Sequence, residues 1–156
     1  GQAVPILLVN ENSVPAATRN ALDQLGGTKD IAIGGGPATV SHDVMAQLDS
    51  RYGNVERWAG GDRYSTAQVI ANMAIANGLT GDDLVGVAAK LPDALTGGAT
   101  IGQTGGVLLI TNGESLTSST GSWLASHKAA VDKCYVVGGP VSMTPGVMSN
   151  INSRLQ

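Results

Sequence analysis

Five short apolar runs divide the chain: PILLVN at 5–10, IAIGGG at 31–36, LVGVAA at 84–89, GVLLIT at 106–111 and CYVVGG at 134–139. Each has the length of a strand and lacks the polar alternation of a half-exposed one. Runs of this kind mark strands covered on both faces, as in a parallel sheet flanked by helices. Between them the apolar positions return every three to four residues. Residues 17–25, 44–48, 64–76, 118–130 and 145–155 carry such stripes, which predict amphipathic helices. Strand and helix therefore alternate, and right-handed βαβ crossovers follow. The expected fold is α/β: a doubly wound parallel sheet of about five strands, flanked by helices, in a single domain over residues 1–156.

The pattern also repeats. Residues 5–51 and 106–154 share the order strand, Ser-bearing loop, helix, strand, Gly-Gly-Pro loop, helix. The offset is 101 residues where ILLV aligns with VLLI and 103 where the two GGP triplets align. The chain thus reads as a half repeat (5–51) followed by a full repeat (57–156), with a period of about 100 residues. Residues 57–105 are the part without a duplicate.

Composition narrows the picture. A chain that is 42% hydrophobic and 13% charged is not of the disordered class. Phe is absent, so the core must come from Val, Ile, Leu, Ala and Met. A net charge of −3 with scattered basic residues gives no basic stripe for nucleic acid or a membrane surface. No apolar run approaches the roughly 18 residues of a membrane span. Cys134 is the one cysteine, so no intrachain disulfide or cysteine metal cluster forms, and its apolar run makes it a small buried hydrophobe. The opening GQAVPILLVN shows no secretion signal, as expected of a mature protein or an excised module.

Candidate chemistry is sparse. His42 and His127 lack metal-ligand spacing, Asp82 and Asp83 read as a turn, and no G-x-S-x-G elbow occurs. No catalytic residue, metal or cofactor is expected. The loops IGGGPATVS (33–41) and VGGPVSM (137–143) leave strands and enter helices. Gly35, Gly36, Gly138 and Gly139 suit tight turns with outward-facing amides, proline suits the first helical turn, and Ser41 or Ser142 suits a cap. They read as structural turns or as anion sites at helix N-termini. In AAKLPDALTGGA (88–99), Asp93 suits a cap or a hydrogen-bond acceptor for a neighbouring loop, and Lys90 faces solvent or a ligand. Trp58 and Trp123 suit packing or stacking on a sugar ring.

The stretch RWAGGDRYSTAQVIANMA (57–74) concentrates the most function-bearing side chains. Asp62 suits an N-cap, Thr66 lies in the first turn, and Tyr64 begins the apolar helix face. Arg57 and Arg63 flank the cap and are suited to bidentate pairing with Asp62 or Asp93. The stretch reads as a capped helix with an ion-pair clasp, or as a ligand-binding loop.

The motif Arg57-x-x-Gly60-x-Asp62-Arg63-Tyr64-x-Thr66-Ala67 resembles the opening signature of the cell wall binding repeat 2 family. LPDALTGGA, PILLVN, IAIGGGPATVS and YVVGGPVSM are similar to its other segments, in the same order along nearly the whole chain. The resemblance implies a Toprim-like fold and a non-catalytic module of bacterial surface proteins, autolysins and S-layer-associated proteins. Such modules act outside the cell, at the wall, binding an anionic polysaccharide or teichoic-acid-like polymer. They commonly assemble three at a time around a pseudo-threefold axis, which implies a homo-oligomer. The family's P-I-L-L strand is associated with polymer binding, which carries over to Pro5, Ile6, Leu7 and Leu8. Arg57, Arg63 and Lys90 are the expected basic contributors; Gly60, Asp62, Tyr64, Thr66 and Asp93, with the loop glycines, are the structural motif. The chain departs from the pattern at Gly106, where the second copy lacks the proline, and at Leu91, where the family has Phe. The catalytic Glu and DxD pair of Toprim enzymes are not evident. The rival readings are a small α/β hydrolase acting on wall material and a self-assembly module without polymer binding.

Overall fold

A computed structural model describes residues 4–26 and 30–156. The elements run α1 (Ala16–Gln24), β1 (Ile31–Gly34), α2 (His42–Tyr52), β2 (Val55–Trp58), α3 (Arg63–Ala76), β3 (Leu84–Ala88), α4 (Leu91–Gln103), β4 (Val107–Ile110), α5 (Ser118–His127), β5 (Lys133–Val137) and α6 (Pro145–Leu155). Every strand pairing is parallel, as the unbroken apolar runs require. The α/β class and the five strands match expectation, but the strands are divided between two sheets. β1 pairs with β2, and β3 lies between β4 and β5.

Two strand assignments differ from expectation. Residues 5–10 form no strand, although Asn10 makes an isolated bridge to Ser13. Ile6 and Leu8 are 90% and 80% exposed. The run is apolar enough for a covered strand, yet no neighbouring strand meets its backbone, and a strand without a partner leaves its amides to water. Conversely, Val55–Trp58 is a strand. Its four residues include Glu56 and Arg57, so its alternation is too short and too charged to stand out from the signature that follows.

The central strand β3 reads LVGVA, and its Val85, Val87 and Ala88 are fully buried. Helix α4 lies close upon β3 at Gly86, and close upon β5 at its own Gly97. A Cβ on Gly86 would come within 2.8 Å of Ile101 Cγ1, and one on Gly97 within 2.7 Å of Val137 Cγ1. Leu109, Trp123, Leu124, Met143, Val147 and Ile151 complete this core. A separate cluster under α1 and α2 joins Val14, Leu22, Ile33, Val40, Val44 and Leu48. Cys134 packs at the edge of the larger core, where burial pushes its thiol up to about 11.

Matching details recur in the two halves of the chain. Thr18 Oγ1 donates to the Leu8 carbonyl at 2.5 Å, and Thr120 Oγ1 to the Ile110 carbonyl at 2.6 Å. This sets Leu8 against Ile110, a spacing of 102 rather than the 101 of the sequence alignment. Ser41 N–H donates to the Glu11 carbonyl at 2.8 Å, and Thr144 N–H to the Gly113 carbonyl at 2.9 Å. Gly35 and Gly138 share a left-handed φ, +137° and +122°. Buried Val40, Val44 and Leu48 correspond to buried Met143, Val147 and Ile151.

Trp123 is the largest fully buried side chain. Its Nε1 donates to Asn72 Oδ1 at 2.7 Å, and its ring stacks on His127 at 4.0 Å. Trp123→Ala should destabilise the fold by about 3–5 kcal/mol in urea unfolding, and Trp123→Phe by clearly less. A loss for the alanine variant under about 1 kcal/mol contradicts this account of the core.

Candidate functional site

The signature stretch begins on β2 and ends inside α3. Asp62 is the N-cap of α3, held by a reciprocal capping box. Its Oδ1 accepts from Ser65 N–H at 2.7 Å, and Ser65 Oγ accepts from Asp62 N–H at 3.0 Å. Thr66 Oγ1 accepts from Gly60 N–H at 3.0 Å, drawing the loop onto the same helical turn. Gly60 fits because a Cβ there would lie 2.6 Å from the Ser65 carbonyl carbon. The Ser65 backbone N–H holds the Asp62 carboxyl below its ordinary value. Tyr64 lies half-buried on the first turn. The expected cap is therefore present.

The expected ion-pair clasp takes another form. Arg57 Nη1 donates to the Gly35 carbonyl at 2.6 Å and Nη2 to the Ser41 carbonyl at 3.4 Å, while its Nε is buried without a partner. Gly35 N–H returns a bond to the Trp58 carbonyl at 3.2 Å. Arg57 thus staples β2 to the first Gly-Gly-Pro loop by carbonyls, the natural partners of a guanidinium inserted into a turn. Arg63 is exposed as the first residue of α3 and acts on Asp62 only as the weakest of several influences. The ion pair among the described residues joins α1 to α2: Arg51 Nη2 lies 2.8 Å from Asp23 Oδ2. Arg51, then Tyr52, which donates to Asp23 Oδ1 at 2.8 Å, holds that carboxyl below its ordinary value.

Asp93 sits in the first turn of α4 and does not cap it. Its Oδ2 is buried without a partner against the second Gly-Gly-Pro loop, where a Cβ on Gly138 would lie 2.6 Å away. Lys90 is the exposed N-cap of α4, with no side-chain cap bond. Ser41 caps α2 by accepting from Val44 N–H at 3.3 Å. Ser142 does not cap α6, whose N-cap is Thr144. Pro37 and Pro140 lie in the tight turns ahead of those helices rather than in their first turns.

Beside residues 4–9 opens a cleft of about 920 Å³. Its walls include Leu7, Val9, Ile31 and Ile33, and among the described residues its charged lining (Asp30, Asp49, Glu56) is acidic. Among the described residues, no basic side chain lines it. The structure also places Arg154 in a polar groove of about 380 Å³ with Thr117, Ser118, Asn150 and Ser153. Sequence reasoning missed that groove, because only the antiparallel contact of α5 and α6 brings the two helices' polar residues together.

The cell wall binding domain 2 (CWB2) family matches residues 57–148, more than half of the 156 residues. The chain belongs to the CWB2 family. The CWB2 match opens at Arg57, the staple described above. The chain is 29% identical over 149 residues to the N-acetylmuramoyl-L-alanine amidase LytC of Bacillus subtilis (strain 168), covering 96% of this chain and 29% of that protein. Among solved structures it is similar to Cwp6 from Clostridium difficile, with a TM-score of 0.84 and 27% identity over 96% of this chain and 23% of Cwp6. Cwp8 from the same organism shares the fold, with a TM-score of 0.78 at 24% identity, over 96% of this chain and 25% of Cwp8. The chain therefore spans less than a third of each relative's length. As a CWB2 domain it is a cell-wall-binding module. Among the described residues, no helix is long and apolar enough to cross a membrane.

Two predictions follow from the cap. Gly60→Ala should cost about 1–3 kcal/mol in denaturant unfolding, because the added methyl meets Ser65 backbone; no loss would mean the loop is not held as described. The Asp62 carboxyl titrates below its ordinary value in the folded state, so its stabilisation is present above that ordinary value and lost as pH falls through the folded one. The protection factor of the Ser65 amide, its exchange rate relative to the intrinsic rate at each pH, should fall in that acid range and stay level from pH 5 to 8. Asp62→Asn, which also caps well, should flatten the acid limb.

Proposed function

We propose that this chain is a non-catalytic module that anchors its carrier non-covalently to an anionic glycopolymer of the cell wall, outside the cell. The observation that carries this reading is the CWB2 match across residues 57–148. Within that span Arg63 and Lys90 stand exposed at the N-termini of α3 and α4. Phosphates or carboxylates gain there from the cationic side chain and from the helix end together. Arg57 contributes indirectly, since its guanidinium is engaged by the Gly35 and Ser41 carbonyls. Among Pro5, Ile6, Leu7 and Leu8 the side chains are apolar, so an anion would meet only the backbone amides there. Arg154 in the α5–α6 groove adds a further cationic contact.

With a net charge of −3, attachment depends on these local cations, and each contact is weak. Avidity across copies then carries the attachment, which accords with a homo-oligomeric or tandem arrangement of one full repeat (57–156) and half of another (5–51). The name of the LytC relative keeps a wall hydrolase as the second reading, and turnover of purified wall by this chain would support it.

Binding to purified sacculi, before and after removal of their anionic polymer, tests the proposal. Retention should disappear on stripped sacculi. Arg63→Ala with Lys90→Ala should weaken retention about tenfold, or about 1.4 kcal/mol. Equal retention on stripped and intact walls would overturn it.

A further inference from the structure

The two halves of the chain carry an arginine at the same point of their last helix and treat it differently. By the Ser41 and Thr144 backbone bonds, Arg51 of α2 corresponds to Arg154 of α6. By the shared threonine bonds, Asp23 of α1 corresponds to Ala125 of α5. In the first half the aspartate takes up the arginine: Arg51 Nε and Nη2 donate to the two Asp23 carboxylate oxygens at 3.3 and 2.8 Å. In the second half Ala125 offers only a methyl group in its place. Among the described residues Arg154 enters no ion pair and no hydrogen bond.

Further exchanges shape the space around that arginine. Arg19 of α1, which folds back onto the Val14 carbonyl, corresponds to Gly121 of α5. With no side chain at Gly121, Arg154 lies upon α5, its Nε 3.6 Å from where a Cβ on Gly121 would be. Pro15 and Ala16 correspond to Thr117 and Ser118, so hydroxyls replace apolar carbons beside the guanidinium. Asn150 and Ser153 face them from α6. The groove so formed, about 380 Å³, lies at the small end of the range for ligand sites. An arginine on a convex surface is simply solvated. This one lies in a concavity, beside a Ser118 hydroxyl and an Asn150 amide that have no partner among the described residues.

We propose that the α5–α6 groove is a subsite for one carboxylate-bearing sugar unit of the wall polymer. The unit's carboxylate takes the fork of Arg154 as Asp23 takes that of Arg51, and its ring hydroxyls meet Ser118 and the Asn150 amide. The first half shows that a carboxylate, rather than a bulkier phosphate, matches an arginine at this position. The proposal rests on the wall-polymer reading above and adds to it a place and a charge-bearing group.

The test is a titration of the unmodified chain with glucuronate, glucose, acetate and glucose 6-phosphate, read by nuclear magnetic resonance. Glucuronate should shift the Ser118 and Gly121 amides and the Arg154 Nε–H saturably at millimolar concentration. Glucose and acetate each carry one half of the ligand and should bind at least about tenfold more weakly. Arg154→Gln should weaken glucuronate binding at least about tenfold. So should Ala125→Asp, which gives the second half the carboxylate of the first while keeping the arginine. Circular dichroism of both variants should match that of the parent. Acetate as effective as glucuronate means an adventitious ion only and overturns the proposal. Glucose 6-phosphate binding as tightly as glucuronate overturns it too, as does glucuronate binding that survives Arg154→Gln. Sacculi separate this failure from failure of the wall-polymer reading. If the chain is lost from stripped walls while glucuronate leaves Arg154 unshifted, the subsite alone falls. Equal retention on stripped and intact walls overturns both.

Discussion

A parallel strand has both edges of its backbone bonded within a sheet only when a neighbour lies on each, and β3 is the strand of this molecule so placed. β3 is bonded to β4 on one side and β5 on the other, its residues from Val85 to Ala88 are buried, and Gly86 lets Ile101 of α4 settle upon it. Everything in the second half is arranged about this strand: the buried Trp123, the α5–α6 pair, and the loop that shelters Asp93. The first half repeats the same helices, loops and hydrogen bonds around a space where no such strand lies. The bare Ile6 and Leu8 and the acidic-rimmed cleft are consequences of that single difference.

Much of this was legible in the sequence. Uninterrupted apolar runs such as LVGVA and KCYVV report burial on both faces directly, so the parallel α/β class follows from composition along the chain. Helix α6 was readable to the residue, and Asp62 was readable as a cap because a short carboxylate before an apolar stripe has few other uses. The failures share one cause. Burial potential is a property of a segment, while pairing is a property of its neighbours, so PILLVN looks like β4 and yet has no partner. The four residues VERW pair with β1 although their pattern is mostly polar.

The signature residues were legible as a group but not in their roles. Arginine suggests carboxylate partners, and Asp62 and Asp93 were the obvious ones in sequence. In the fold Asp62 is taken up by Ser65, and Arg57 lies across β2 beside the carbonyls of Gly35 and Ser41. A guanidinium with several donors does not need an anion to be satisfied, and two turn carbonyls hold it well. The three cations thus differ in setting: Arg57 is engaged by two turn carbonyls, while Arg63 and Lys90 stand exposed at helix ends, where an anion is favoured.

A CWB2 module of net charge −3 that holds an acidic polymer must do so through such local positive features against its overall field. Binding of that kind is saturable, sensitive to ionic strength and leaves the ligand intact. Calorimetric titration of purified anionic wall polymer into the unmodified chain, repeated at rising sodium chloride, tests this most directly. The account predicts saturable binding that weakens steadily with salt and polymer recovered at its original length. Absence of binding at low salt, affinity indifferent to salt, or recovery of shortened polymer would contradict it.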